Sequence, residues 1–305
     1  MPKGPEHSLL VVGSIAFDSI ETPNGSVEDA LGGSATFFSY AASFFISPRL
    51  VGVVGEDFPD DYRRVFAQRG VDTTGLVTQP GKTFRWKGRY HQDMNTRDTL
   101  EVHLNVFGTF DPQLPARFRD STHVFLANGS PTLQALVLDQ VQKPQLVLAD
   151  TMDLWINTQR EDLLKLLPRL DGLLLNDSEA KLLTGDDNMV RAGQLVRSMG
   201  PKFVILKKGE HGAMLISQDG IYVLPAYPTE NVVDPTGAGD SFAGGILGYL
   251  AADESQPPGR LRQAMAYGTV IASLTVEGFG LDRLRGTERE EIETRLENYR
   301  NMLSF

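Results

Sequence analysis

Apolar residues along this chain fall into blocks of two lengths. Short blocks at 9–13, 49–54, 123–126, 146–150, 172–176 and 203–207 are almost wholly apolar, and several close on a glycine or a polar residue. Blocks that short and that continuous predict strands buried on both faces of a sheet. Helix-length segments at 34–45, 131–142, 161–167 and 178–183 stand among them. Two more strands, 213–217 and 221–224, precede helices at 240–251, 260–277 and 288–302. Strands alternating with helices predict an α/β fold with a mostly parallel, helix-covered sheet.

One stretch breaks this alternation. Residues 83–107 carry no helical period and read as two strands around the polar turn 93–98. Phe84, Trp86 and Tyr90 share one face of the first strand, and Arg85, Lys87 and Arg89 share the other. Leu100, Val102, Leu104 and Val106 line one face of the second. That apolar surface predicts a hairpin that covers a pocket as a lid, or pairs with a second subunit as a homodimer seam.

Charge and composition narrow the partners. A net charge of -10 with a pI near 5.0 argues against nucleic acid and anionic membranes, which need a basic footprint. The chain has no cysteine, which excludes disulfides, zinc thiolates and thiol nucleophiles, and its five histidines show no metal-ligand spacing. The longest apolar stretch, 37–46, is too short to span a bilayer, and residues 1–8 lack a signal pattern, so the expected location is cytoplasmic. Asn24 and Asn128 begin glycosylation-like triplets that read better as turns. With no repeat and no linker, residues 1–305 are expected to form one domain.

The chemistry concentrates at Val233-Asp234-Pro235-Thr236-Gly237-Ala238-Gly239-Asp240-Ser241-Phe242-Ala243-Gly244-Gly245. Small residues at 237–239 let backbone N–H groups approach an anion, and the helix that follows adds positive potential at its start. Asp240, in the first helical turn, stands where a carboxylate could take a proton from a hydroxyl. This string closely resembles the signature of the ribokinase/PfkB carbohydrate kinase family. The resemblance implies a ribokinase-like three-layer sandwich with a small β lid, here placed at about 15–33 and 82–108. It also implies that Gly237, Ala238 and Gly239 form the anion hole and that Asp240 is the catalytic base.

Other segments fit the same resemblance. Gly13-Ser14-Ile15-Ala16-Phe17-Asp18 and Gly32-Gly33 are similar to the family's acceptor-holding elements, which makes Asp18, Gly32 and Gly33 substrate candidates. Asn128 and Asp150 join them, although Met152 stands where the family's Asp-x-Asn element has Asn, and no Asn follows Gly33 closely. Asn176-Asp177-Ser178-Glu179 matches the Asn-x-x-Glu element; it implies that Glu179 organises magnesium through water, while its spacing also suits a helix cap. Asn176, Lys207, Gly209, Gly212 and Thr236 are implied on the nucleotide side. Residues 264–278 fall where the family lines its adenine pocket and sometimes holds a monovalent cation, so potassium joins ATP and magnesium as a candidate cofactor.

The expected activity is therefore transfer of the γ-phosphoryl group of ATP to a hydroxyl of a small sugar or related polyol, with a nucleoside as the alternative acceptor. Phe37, Phe84, Trp86 and Tyr90 offer stacking surfaces for either, or simply core. Arg85, Lys87, Arg89 and Arg97 would suit a sugar phosphate instead. Three other readings fail. Gly81-Lys82-Thr83 lacks the earlier P-loop glycine, which would fall at Leu76, and no Gly-x-Gly-x-x-Gly follows Gly13. A non-catalytic relative has no reason to keep Asp240 beside an intact cradle.

Overall fold

The computed structural model describes residues 7–252 and 260–304. In chain order its strands are β1 (Leu9–Val12), β2 (Ala16–Thr22), β3 (Gly25–Gly32), β4 (Arg49–Gly55), β5 (Asp72–Gln79), β6 (Phe84–Tyr90), β7 (Arg97–His103), β8 (His123–Leu126), β9 (Leu146–Asp150), β10 (Gly172–Asn176), β11 (Phe203–Lys207), β12 (Ala213–Ser217) and β13 (Gly220–Leu224). Its helices are α1 (Ser34–Ala42), α2 (Asp60–Gln68), α3 (Pro131–Gln140), α4 (Asp153–Thr158), α5 (Arg160–Leu166), α6 (Asp177–Thr184), α7 (Met189–Ser198), α8 (Ala238–Ala251), α9 (Arg260–Thr275), α10 (Asp282–Arg285) and α11 (Arg289–Leu303).

Nine strands form the main sheet in the order β13-β12-β11-β10-β9-β8-β1-β4-β5. From β11 to β5 every pairing is parallel, and β12 and β13 add an antiparallel edge. Alternation along the strands splits the core into two layers. Leu9, Val11, Phe125, Leu148, Leu174 and Ile205 face α1, α8, α9 and α11. Leu10, Val12, Val124, Leu126, Val147, Leu173 and Val204 face α3, α5, α6 and α7. Each fully buried side chain of this kind contributes about 1.5–3 kcal/mol. Parallel pairing also gathers the carboxyl ends of β8 to β11 on one edge, the position where such sheets bind ligands.

β2, β3, β6 and β7 form a separate four-stranded sheet in the order β3-β2-β6-β7. The anticipated hairpin is thus one half of it; β6 runs parallel to β2, with Asp18 opposite Trp86. The anticipated apolar face on the second strand is shorter than expected. Asn105 adopts φ 49°, which ends the extended backbone, and its amide donates to the Thr83 carbonyl at 2.9 Å. Val106 then buries in a 3-10 turn, and on β7 only Leu100 and Val102 remain, 39% and 44% exposed.

Candidate active site

Gly237 lies in the left-handed region, φ 76°, as the residue before α8. A side chain there would be strained, and its Cβ would collide with the buried ring of Phe37. Phe37 therefore serves as the floor of the turn and is not a stacking surface for substrate. Asp234 holds the turn from below, accepting from the N–H of Thr236 at 2.8 Å and of Gly280 at 3.4 Å. Burial pushes its carboxyl up to about 6. Among the described residues the N–H groups of Gly237 and Gly239 have no hydrogen-bond partner. Unsatisfied donors at a helix start, with little side chain over them, are what an oxyanion or phosphate needs.

Asp240 sits one residue further, in the first turn of α8, half-buried. Burial raises its carboxyl above the usual range, while Lys207, Arg97 and its own N–H pull the other way. Asp150, at the end of β9, is buried and raised further, first by burial and then by the Asp240 charge. Of these two neighbouring carboxyls Asp150 is raised the more, so it is the one that keeps a proton and Asp240 the one that carries the negative charge. Asp150 Oδ1 is buried with no hydrogen-bond partner, so the residue anticipated as a substrate contact keeps an oxygen unused beside the Asp240 charge. Lys207 completes this cluster from the end of β11, its Nζ 3.0 Å from where a Cβ on Gly239 would lie.

Asn176 and Glu179 form a reciprocal capping box. Asn176 Oδ1 accepts from Glu179 N at 2.8 Å, and Glu179 Oε2 accepts from Asn176 N at 2.7 Å. Asn176 pairs with Lys207 across β10 and β11, which sets Glu179 beside the cluster. Burial raises its carboxyl, opposed first by the charge of Lys207. The cap and a role toward a metal are compatible, because the cap engages one carboxylate oxygen. Among the described residues no cluster of three or more His, Asp or Glu could grip a metal directly. The donors fit a magnesium ion that arrives with phosphates and meets Glu179 through water.

At the other end of the cleft, Asp18 accepts from Gly33 N at 3.2 Å, and any side chain on Gly32 would collide with its carboxylate. Gly33 has φ 92° and precedes α1. Burial pushes Asp18 up to about 7 from an ordinary value of 3.8. Between these two values the folded protein holds a proton that the unfolded chain has lost, so stability falls as pH rises through that window. Asp18→Asn removes the penalty. The variant is expected to gain a few kcal/mol on the parent at pH 8 and little at pH 4, read by urea unfolding; parallel pH profiles would show that Asp18 ionises freely.

Several anticipated residues are engaged by neighbours within the protein. Asn128 spends its amide inside the protein, accepting from Trp155 Nε1 at 2.9 Å and donating to Met152 Sδ at 3.0 Å. Gly212, φ 81°, is required by the Leu224 carbonyl packed against it. Gly209, φ 53°, lies under the Asn95 side chain at the lid tip. Thr236 donates from Oγ1 to the Tyr90 hydroxyl at 3.3 Å. Tyr90, anticipated as a stacking surface, and Asn95, which the sequence pattern did not single out, are contacts between the lid and the nucleotide-side loops.

Comparison with known proteins bears on the family and the fold. The family model described as pfkB family carbohydrate kinase matches residues 6–284. The chain is 29% identical over 250 residues to a cytidine kinase of Thermococcus kodakarensis, covering 79% of this chain and 88% of that protein. It is 30% identical over 291 residues to an aminoimidazole riboside kinase of Salmonella typhimurium, covering 90% of each. A solved structure of a putative ribokinase II of E. coli in complex with ATP and magnesium superposes with a TM-score of 0.77 at 21% identity, covering 95% of this chain and 99% of that one.

Proposed function

The chain belongs to the pfkB family of carbohydrate kinases, and from that premise we propose that it phosphorylates a hydroxyl of an N-riboside, a nucleoside or close analogue, at the expense of ATP. It is a phosphotransferase with an alcohol acceptor; the nucleoside is our choice within that class. The choice reverses the order expected from sequence, where a free sugar stood first. What carries it is the likeness, over most of their length, to two kinases whose names specify ribosides. A ribose diol also suits the paired oxygens of Asp18.

In the proposed reaction Asp240 takes the proton of the attacking hydroxyl, helped by a carboxyl that burial has made more basic. Asp150, held neutral, leaves the negative charge on that carboxylate. The N–H groups of Gly237 and Gly239 and the start of α8 face the charge that grows on the migrating phosphoryl. Lys207 holds the phosphates from the β11 side, and Asp18 with Gly33 orients the acceptor. Magnesium, when bound, neutralises phosphate charge, with Glu179 positioning its waters. The lid excludes water, so that ATP is not hydrolysed.

Three finer points belong to the same proposal. β7 is an edge strand with Leu100 and Val102 exposed, a surface suited to lid-to-lid dimerisation, which sedimentation at micromolar concentration would test. A potassium ion would have to use carbonyls near 276–280, because Arg283 and Arg295 already hold Glu277 at 3.1 and 2.9 Å; turnover in potassium against choline chloride tests that. No helix among the described residues is long and apolar enough to cross a membrane, and cytoplasm is the compartment we propose, to be checked by fractionation.

An ATP-consumption panel of nucleosides, free pentoses and hexoses, inositol and sugar phosphates tests the acceptor. The best nucleoside should exceed free ribose in kcat/KM by at least about tenfold, the scale of one well-filled subsite. A free sugar or sugar phosphate at the head of the panel would overturn the choice, leaving the phosphotransferase assignment intact.

A further inference from the structure

Three of the four basic side chains singled out on the lid strands are already neutralised. Arg85 pairs with Asp29 and, at 3.2 Å, with Asp57; Lys87 and Arg89 pair with Glu21 at 3.7 and 2.7 Å. Arg97 meets no carboxylate among the described residues and lies 5.6 Å from the centre of the Trp86 ring. Away from the lid, two other arginines without a carboxylate partner meet at one open pocket of about 540 Å³. It lies where α1 and the ends of α2 and α10 come together, lined by Tyr40, Gln68, Arg69, Asp282, Arg285 and Gly286. Small-molecule sites typically measure about 300–1,000 Å³.

Uncharged partners hold Arg69 in place. Its Nε donates to Ser43 Oγ at 3.0 Å, and its Cζ lies 4.3 Å from the centre of the Phe44 ring and 5.4 Å from that of Tyr40. The terminal nitrogens of its guanidinium have no hydrogen-bond partner among the described residues. Arg285 ends α10, and its side chain makes no hydrogen bond or ion pair among the described residues, although Asp282 stands one turn before it. Tyr40 is the independent sign of a ligand. The residue is only 4% exposed and lines the pocket, yet its hydroxyl has no hydrogen-bond partner among the described residues. A hydroxyl in such a place is costly to leave unpaired. Burial raises its pKa, against the charges of Arg69 and Arg285, so at neutral pH it is an O–H donor. Two guanidinium groups and a phenol donate to one place. A phosphate group presents three oxygens to such a set, a carboxylate only two. Asp282 and the Gln68 amide add acceptors for hydroxyl groups beside it.

We propose that this pocket is a regulatory binding site for a hydroxylated phosphate monoester, either the enzyme's own phosphorylated product or a sugar phosphate made by another reaction. Arg69, Arg285 and Tyr40 hold the phosphate, and Asp282 and Gln68 meet the hydroxyls. Both walls of the pocket continue into the active site. α1 starts after Gly33, whose N–H binds Asp18, and carries Phe37, the floor of the Gly237 turn, one turn before Tyr40. α10 follows Gly280, whose N–H holds Asp234 at 3.4 Å. A ligand that fixes α1 against α10 therefore bears on the acceptor end and on the phosphate turn together. The site uses neither Asp240 nor the acceptor, so it stands whichever acceptor the panel ranks first.

The test fills the active site first, using the full chain with magnesium, a non-hydrolysable ATP analogue and the first-ranked acceptor at saturation. Calorimetric titrations then compare ribose 5-phosphate, the phosphorylated acceptor, inorganic phosphate and ribose. One ester should bind per chain, at least about tenfold more tightly than inorganic phosphate, and ribose should not bind. Arg285→Ala should weaken ester binding by at least about tenfold and Tyr40→Phe by about threefold or more, since charge-assisted hydrogen bonds outweigh neutral ones. Both variants should fold, because Arg285 is exposed and Phe keeps the ring of Tyr40 against Phe44. Without ester their turnover should stay within about twofold of the parent's. With it, the parent's rate at subsaturating acceptor should change by at least about twofold and that of Arg285→Ala by less. The tighter of the two esters identifies the source. No binding to the filled parent, undiminished binding to Arg285→Ala, or inorganic phosphate as tight as either ester overturns the proposal. A rate effect that persists in Arg285→Ala marks competition at the active site and overturns it too, and binding without any change in rate overturns the regulatory role.

Discussion

Asp240→Asn is expected to reduce turnover by at least about a hundredfold while ATP affinity stays within about threefold. The amide is nearly isosteric and occupies the same first turn of α8, so the N–H groups of Gly237 and Gly239 keep their arrangement. What disappears is the ability to accept a proton. Burial makes the Asp240 carboxylate a stronger base than an ordinary aspartate, and the neutral Asp150 beside it keeps the anion on the reacting residue. Removing that anion also relieves a buried charge, so Asp240→Asn should unfold at a temperature equal to or above the parent's. Asp150→Asn offers the contrast. It keeps position 150 neutral and removes no base, so its turnover should fall by only about tenfold or less. Initial rates at saturating ATP and calorimetric ATP binding check both variants. Near-normal turnover in Asp240→Asn would leave the general base elsewhere and would undo the mechanism.

The phosphate turn was legible in the sequence because its chemistry needs consecutive backbone groups, so small residues and one carboxylate must be adjacent in the chain. The parallel core was legible for a similar reason: doubly buried strands cannot include many polar residues. Where few residues are buried, the signal fades. α2 buries only Val65 and Phe66, and α7 buries Ala192, Gly193 and Val196, a stripe too slight to stand out. β5 is an edge strand of mostly polar residues and went unread. Site residues that depend on distant partners were the least legible. Asn128 looked available until Trp155 and Met152 were seen to occupy its amide. Phe37 could be core or stacking surface on composition alone, and only its contact with Gly237 decides. Likewise Arg97 cannot be told from Arg85 or Arg89 by pattern, because what separates them is which carboxylates fold within reach.

The contact between Phe37 and Gly237 yields the second large effect. Gly237→Ala should lose about 1–3 kcal/mol from the left-handed backbone, with a similar further cost from overpacking. Phe37 cannot step aside, since it is 1% exposed, is held in α1, and packs in the layer that α8 and α9 cover. The start of α8 must shift instead, carrying Asp240 with it, and a displacement of about 1 Å at a reacting group costs on the order of a hundredfold in rate. Gly239→Ala separates the two consequences. Its backbone is not left-handed, and the new methyl meets only the flexible end of Lys207, at 3.0 Å. Its stability should stay within about 1 kcal/mol of the parent, because no backbone strain or fixed neighbour opposes the methyl. The methyl nevertheless stands over the N–H groups that phosphate would approach, so turnover should still drop by about tenfold or more. Urea unfolding and initial rates on the two variants distinguish a turn that is strained for function from one that is merely tight. If Gly237→Ala kept the parent's stability, the collision with Phe37 would not exist in solution, and the argument for a rigid cradle would fail with it.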